Sequence, residues 1–135
     1  MSTLLTVILV VVGGFVALMV GLNLFIRAKA KAMRGQELPK LPGRLGESIG
    51  RSKKGLVYFF SPSCAACRTL TPVVQKAAKA NKNVFAVDVT QHLELARALK
   101  ILATPSTLEV EEGRVVDVHV GMLPRSVMER LSPST

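Results

Sequence analysis

The first 26 residues carry no ionisable side chain, and the apolar positions from Thr3 to Ile26 follow one another with no polar face between them. Read as a helix rising about 1.5 Å per residue, that stretch is long enough to cross a hydrocarbon core of about 30 Å. The pattern then changes. Ala28–Lys54 is polar and basic, and Gly35, Pro39, Pro42, Gly43, Gly46 and Gly50 stop any long helix there. Within it, Arg44–Arg51 predicts a short helix with Leu45 and Ile49 on one face. From Gly55 onward the apolar positions take the short periods of a small α/β domain. Leu56-Val57-Tyr58-Phe59-Phe60 is a β-branched and aromatic run of buried-strand type, ended by Ser61-Pro62-Ser63. Thr71–Ala80 predicts a helix carrying Val73, Val74, Ala77 and Ala78, and Asn83–Val89 a second strand. Leu93–Leu99 predicts a helix with Leu93, Ala96 and Leu99 inward. Thr107–Val110 and Val115–Val120 pair as a hairpin around Glu111-Glu112-Gly113-Arg114, with Val116, Val118 and Val120 on one face and Asp117 and His119 on the other. Pro124–Leu131 closes as a helix. The expected organisation is an anchor at 1–26, a basic juxtamembrane linker at 27–54 and a domain at 55–135. The expected class is α/β with a mixed sheet, preceded by one transmembrane helix.

Charge sharpens this division. The net charge is +9, but residues 27–54 hold nine Lys/Arg against Glu37 and Glu47, while residues 55–135 hold nine basic and seven acidic side chains. The basicity therefore belongs to the stretch beside the anchor, where it suits anionic headgroups. A nucleic-acid partner is not expected. That would need positive charge on the folded face with aromatics to stack on bases, and the chain has one Tyr and five Phe, with Phe15 and Phe25 in the apolar stretch.

The apolar stretch lacks a basic n-region, exceeds a signal peptide's core of about 7–15 residues, and meets no small-x-small site before the charges begin, so it reads as an uncleaved anchor. Arg27, Lys29, Lys31 and Arg34 follow it and nothing basic precedes it. The positive-inside rule then places the domain on the cytoplasmic side of a bacterial inner membrane, with the periplasmic side as the alternative. Gly13, Ala17 and Gly21 recur every four residues and offer a face for a homodimer.

The chain has two cysteines, Cys64 and Cys67. A disulfide across so short a loop restrains the unfolded chain little, so the pair reads as reactive rather than structural. Ser63 is a plausible N-cap, which puts Cys64 in a first helical turn where the amides and helix dipole stabilise a thiolate. The i, i+3 spacing sets Cys67 on the same side, one turn on. A structural zinc site needs four ligands. Only His92 and His119 remain, and their spacing fits no finger, so no metal held within the chain is expected. Neither histidine is assigned a role.

The stretch Leu56–Leu70 resembles the active-site strand, turn and helix of the thioredoxin superfamily. Its approach, Phe59-Phe60-Ser61-Pro62-Ser63-Cys64, is more similar to the disulfide proteins linked to methylamine-dehydrogenase maturation than to thioredoxin itself. Pro72 falls five residues after the second cysteine, where the family helix carries a kinking proline. Thr104-Pro105 falls where the family places its cis-proline beside the cysteines, and the hairpin at Glu111–Arg114 and Gly121 follow as in the family. The resemblance covers about residues 55–131. It departs from thioredoxin at Tyr58, which stands where a buried Asp is kept, at Ser63 in place of Trp, and at Ala65-Ala66 in place of Gly-Pro. There is little sequence for the family's first strand and helix unless Leu41–Lys53 supplies a remnant.

The resemblance implies a membrane-anchored thiol–disulfide oxidoreductase in which Cys64 is the nucleophile and Cys67 the resolving thiol. Thr104 and Pro105 would shape the substrate groove. The partners would be protein thiols and disulfides at the membrane, and no organic cofactor is implied. The alternative, kept alive by the absent Trp and Asp, is a non-enzymatic assembly factor or a handler of a soft metal such as Cu(I) on the same scaffold.

Overall fold

In a computed structural model, which describes residues 1–131, a 31-residue helix α1 (Ser2–Ala32) precedes helix α2 (Gly43–Arg51), strand β1 (Lys54–Phe60), helix α3 (Cys67–Ala80), strand β2 (Val84–Asp88), helix α4 (Leu93–Ala98), strands β3 (Ser106–Glu111) and β4 (Arg114–Val120), and helix α5 (Arg125–Leu131). The last four residues of the expected 55–135 domain lie outside the described residues.

Among the described residues the sheet has four strands in the order β2-β1-β3-β4. β1 runs parallel to β2, with Leu56 opposite Val84, and antiparallel to β3, with Phe59 opposite Ser106. β4 lies antiparallel to β3. The expected mixed sheet is thus confirmed, helices pack on both its faces, and among the described residues no named strand precedes β1. Helices cover both faces of β1, which explains its unbroken apolar run. Alternation sends Val57 and Phe59 to one face, where they pack with Ile49, Val87, Leu95, Leu99 and Leu108. Tyr58 goes to the other, with Leu70, Val74, Val127 and Leu131.

Several local expectations change. In α4 it is Leu95 that packs inward, while Leu93 is about half exposed (49%). The hairpin turns at Glu112 (φ 48°) and Gly113 (φ 77°), a left-handed pair of the kind that matches strand twist. The register shifts between Glu109 and Val110, so that Val110 faces Val115 and Val116 is the extra residue of a bulge. The bulge puts Val115 in the core and leaves Val116 exposed while Val118 packs against the core, so the expected shared face of Val116, Val118 and Val120 is broken at Val116.

The larger difference lies in the stretch expected as a linker. α1 continues past Ile26 to Ala32, with Lys29 and Lys31 in its last turn beside the negative end of the dipole. The chain then runs along the open edge of β4. The Gly35 N–H donates to the Val115 carbonyl (2.6 Å), Val115 N–H to Gln36 (3.0 Å) and Leu38 N–H to Gly113 (2.8 Å). Arg34 pairs with Asp117, and Glu37 with Arg114. This segment covers an edge that would otherwise present unpaired backbone groups. Next, Leu41 enters the core and α2 folds back on it so closely that a Cβ on Gly46 would stand 2.6 Å from the Leu41 Cβ. The folded unit therefore includes residues ahead of 55. Two apolar side chains among many charges were enough to place α2 in the core, because Ile49 is fully buried.

Replacing Ile49 by Ala should cost about 2–5 kcal/mol of unfolding free energy, read by urea denaturation of the detergent-solubilised chain. A change within about 0.5 kcal/mol, the scale of ordinary surface substitutions, would mean that α2 is a surface tether.

Candidate active site

Strand β1 delivers the cysteine turn to the end of the sheet at which β3 begins. The Cys64 N–H donates to the Ser61 carbonyl, Cys67 N–H to Cys64, and Arg68 N–H to Ala65. These bonds span three residues, so a tight turn leads into α3, which starts at Cys67 itself. Ser63 is not the N-cap. Its backbone N–H and its hydroxyl both bond the Ser61 hydroxyl, at 3.3 and 2.9 Å. Cys64 consequently stands just ahead of the helix, still at its positive end.

Cys64 and Cys67 are joined as a disulfide with Cα atoms 5.3 Å apart. Their environments differ. Cys67 is 2% exposed and packs beneath the turn, while Cys64 is partly exposed at its rim. Of the two sulfurs, Cys64 is the one an incoming group can reach, and Cys67 is sheltered one turn away. Pro72 sits inside α3, where it can give no N–H to the Arg68 carbonyl one turn back. Arg68 itself faces solvent.

The second wall comes from the loop before β3. The Thr104–Pro105 peptide is cis, and the Thr104 carbonyl oxygen lies 3.5 Å from Cys64 Sγ. Pro105 is buried, and its carbonyl accepts the Gly121 N–H at 2.9 Å, which ties this loop to the end of β4. Proline carries no N–H, so this position directs no amide donor at the sulfurs. The structure thus sets the Cys64–Cys67 pair beside the Thr104 backbone carbonyl, with Pro105 the next residue along the loop.

Below the cysteines, Tyr58 is fully buried and its hydroxyl hydrogen-bonds Thr71 Oγ1 at 2.9 Å. Burial pushes its pKa above the ordinary phenol value, only partly offset by the bond from Thr71. A Tyr so placed stays neutral at physiological pH and offers no carboxylate to move a proton. Phe60 stacks beside it, ring centroids 5.8 Å apart.

One cluster was not anticipated. His119 Nε2 lies 2.9 Å from Glu109 and 3.7 Å from Asp117. Arg130 forks onto Glu109 at 3.0 and 3.1 Å, and Arg34 pairs with Asp117. The ligand atoms of Glu109, Asp117 and His119 all lie within 4.8 Å of one another. Both carboxylates already face guanidinium groups, so this donor set is that of an ion-pair network rather than a metal centre. The register that sets Glu109 opposite Asp117 depends on the β4 bulge, which no residue count revealed.

Comparison with known proteins agrees with this geometry. The family model described as Thioredoxin matches residues 45–132. The chain is 35% identical over 88 residues to Thioredoxin H5 of Arabidopsis thaliana, covering 63% of this chain and 75% of the relative. It is 26% identical over 89 residues to a thioredoxin of Mycoplasmoides gallisepticum, covering 64% and 89%. Among solved structures, reduced Schistosoma mansoni thioredoxin pre-protein superposes with a TM-score of 0.55 at 27% identity, over 69% of this chain and 91% of that one. The family match begins inside α2, in keeping with the place of that helix in the core.

Replacing Tyr58 by Phe should lower stability by about 1 kcal/mol through the lost Thr71 bond. It should leave the pH dependence of disulfide reduction unchanged, since the phenol neither charges nor gives up its proton over pH 5–9. A lost or shifted limb in that profile would show that Tyr58 serves the cysteines as a proton donor.

Proposed function

The chain belongs to the thioredoxin family and is a thiol–disulfide oxidoreductase, and on that premise we propose that it is a membrane-anchored reductase of protein disulfides. The observation that carries the roles is the unequal burial of the two sulfurs beside Thr104-Pro105.

The reduced protein holds two thiols. The Cys64 thiolate attacks one sulfur of a substrate disulfide, forming a Cys64–substrate bond and releasing the other substrate sulfur as a thiolate that takes up a proton. Cys67 then loses its proton and attacks Cys64 Sγ. This breaks the mixed disulfide, releases the second substrate thiol and leaves the Cys64–Cys67 disulfide seen here. Two electrons and two protons pass to the substrate in all. A partner dithiol restores them by the reverse exchange. An extended substrate segment beside the reacting sulfur would pair with the Thr104 backbone, and Pro105 keeps that wall free of a competing amide donor.

The membrane address rests on α1. It is long and apolar enough to cross a bilayer, and none of its apolar window is buried against the protein. The basic residues after it favour a cytoplasmic domain. In that compartment the reducing glutathione pool favours reduction of substrates.

Replacing Cys64 by Ser should abolish disulfide reduction. Replacing Cys67 by Ser should instead accumulate mixed disulfides on Cys64, seen as adducts on non-reducing gels that collapse on reduction. If the Cys67→Ser protein traps nothing while binding Cu(I) less tightly, the dithiol is a metal-transfer site and the reductase reading fails.

A further inference from the structure

The way α1 meets the domain says which end of the domain faces the bilayer. The last turns of α1 are not free. Ile26, Ala30 and Met33 close a small apolar pocket with Leu102, Ala103 and Val120. From there the chain runs down β4, from the Val120 end at Ile26 to the Gly113 end at Leu38, held by the backbone bonds of residues 35–38 and by the Arg34–Asp117 and Glu37–Arg114 pairs. The Val120 end of β4 is the catalytic end. Val120 stands opposite Ser106, which directly follows Pro105, and Gly121 bonds Pro105. α1 therefore leaves the domain past its catalytic pole, and its apolar span lies beyond that pole.

The distances are short. Ile26 is both the last residue of the uncharged run and a wall of the pocket shared with Leu102. The contact from Ile26 to Met33 occupies about 10 Å of helix, so the pole and the boundary of the span lie at nearly the same level. Thr104, whose carbonyl oxygen is 3.5 Å from Cys64 Sγ, is two residues from Leu102. Two large apolar side chains on this pole are left uncovered among the described residues: Leu102 is 58% and Met122 69% exposed. They suit the apolar edge of a lipid headgroup layer, with Lys29, Lys31 and Lys100 nearby to meet anionic groups.

We infer that the domain is docked rigidly on its own anchor with the catalytic pole against the bilayer, so that its substrates are disulfides of membrane proteins lying at the membrane boundary. This rests on the reading of α1 as a span and of Cys64 as the nucleophile, and it adds a narrow height above the membrane at which the enzyme reacts. A flexible tether would instead let Cys64 sweep a broad range of heights.

The test uses the reduced full chain in anionic liposomes together with a single-span reporter helix. The reporter carries one cysteine as a disulfide with thionitrobenzoate, either at the membrane boundary or 20 helical residues above it, about 30 Å. Attack by Cys64 on the reporter sulfur releases coloured thionitrobenzoate and links the two chains, and Cys67 then resolves the link. The boundary reporter should react at least roughly tenfold faster than the raised one, as expected when effective concentration is set by geometry. A flexible Gly/Ser insertion between Ala32 and Met33 should bring the two rates together. Equal rates in the unmodified protein, or a faster raised reporter, would overturn the inference while leaving the reductase reading intact. Failure to react with either reporter or with the soluble bis-thionitrobenzoate disulfide would defeat the reductase reading itself. Failure to float with the vesicles would defeat the span, and the docked geometry with it.

Discussion

The pairing of β1 with β3 is the constraint on which the site depends. With Phe59 set opposite Ser106, the end of β1 and the start of β3 meet at one pole of the sheet. β1 continues into the cysteine turn and β3 is entered through Thr104-Pro105, so two segments 40 residues apart in sequence come within 3.5 Å. A slip of one residue would turn Phe59 out of its core and carry the proline away from the sulfurs. Burial on both faces of β1 prevents the slip, since Val57, Tyr58 and Phe59 are all inaccessible. The helices on either side, α2 and α4 on one face and α3 and α5 on the other, serve to hold that central strand.

The chemistry then follows from an asymmetry between neighbours. Three residues of separation give Cys64 and Cys67 similar directions but different access, because the turn lifts Cys64 to the rim while α3 begins on Cys67. In the proposed mechanism, attack and resolution are divided by this difference in burial. The intervening alanines add no side chain able to bond either sulfur. Tyr58, buried and bonded to Thr71, stays neutral and supplies no charge to the cysteine turn.

Much of this was legible in the residues. The apolar run of β1 and the Cys64/Cys67 spacing are local features read from the residues themselves, while Pro72 and Thr104-Pro105 were legible through the family resemblance; the expected Ser63 cap was not found, since α3 starts at Cys67. What escaped was tertiary. Arg44–Arg51 reads as a short helix within a basic linker, and what its sparse apolar content does not reveal is that the Leu45 and Ile49 face belongs to the core of the domain. Val116 reads as sharing a face with Val118 and Val120, and only the bulge against Glu109 and Val110 separates it from Val118. His119 carries no role in the residue pattern, and it is the strand register that sets it beside Glu109. The docking of residues 34–38 along β4 leaves no periodic trace, because it relies on backbone bonds and on charge pairs between residues some 80 positions apart.

The central claim is that Cys64 is the reactive sulfur and Cys67 the sheltered one. Limiting iodoacetamide applied to the freshly reduced chain, followed by peptide mass mapping, tests it directly. The account predicts that the first equivalent of label falls on Cys64, with Cys67 modified only after unfolding. Equal labelling of both, or label first on Cys67, would contradict it.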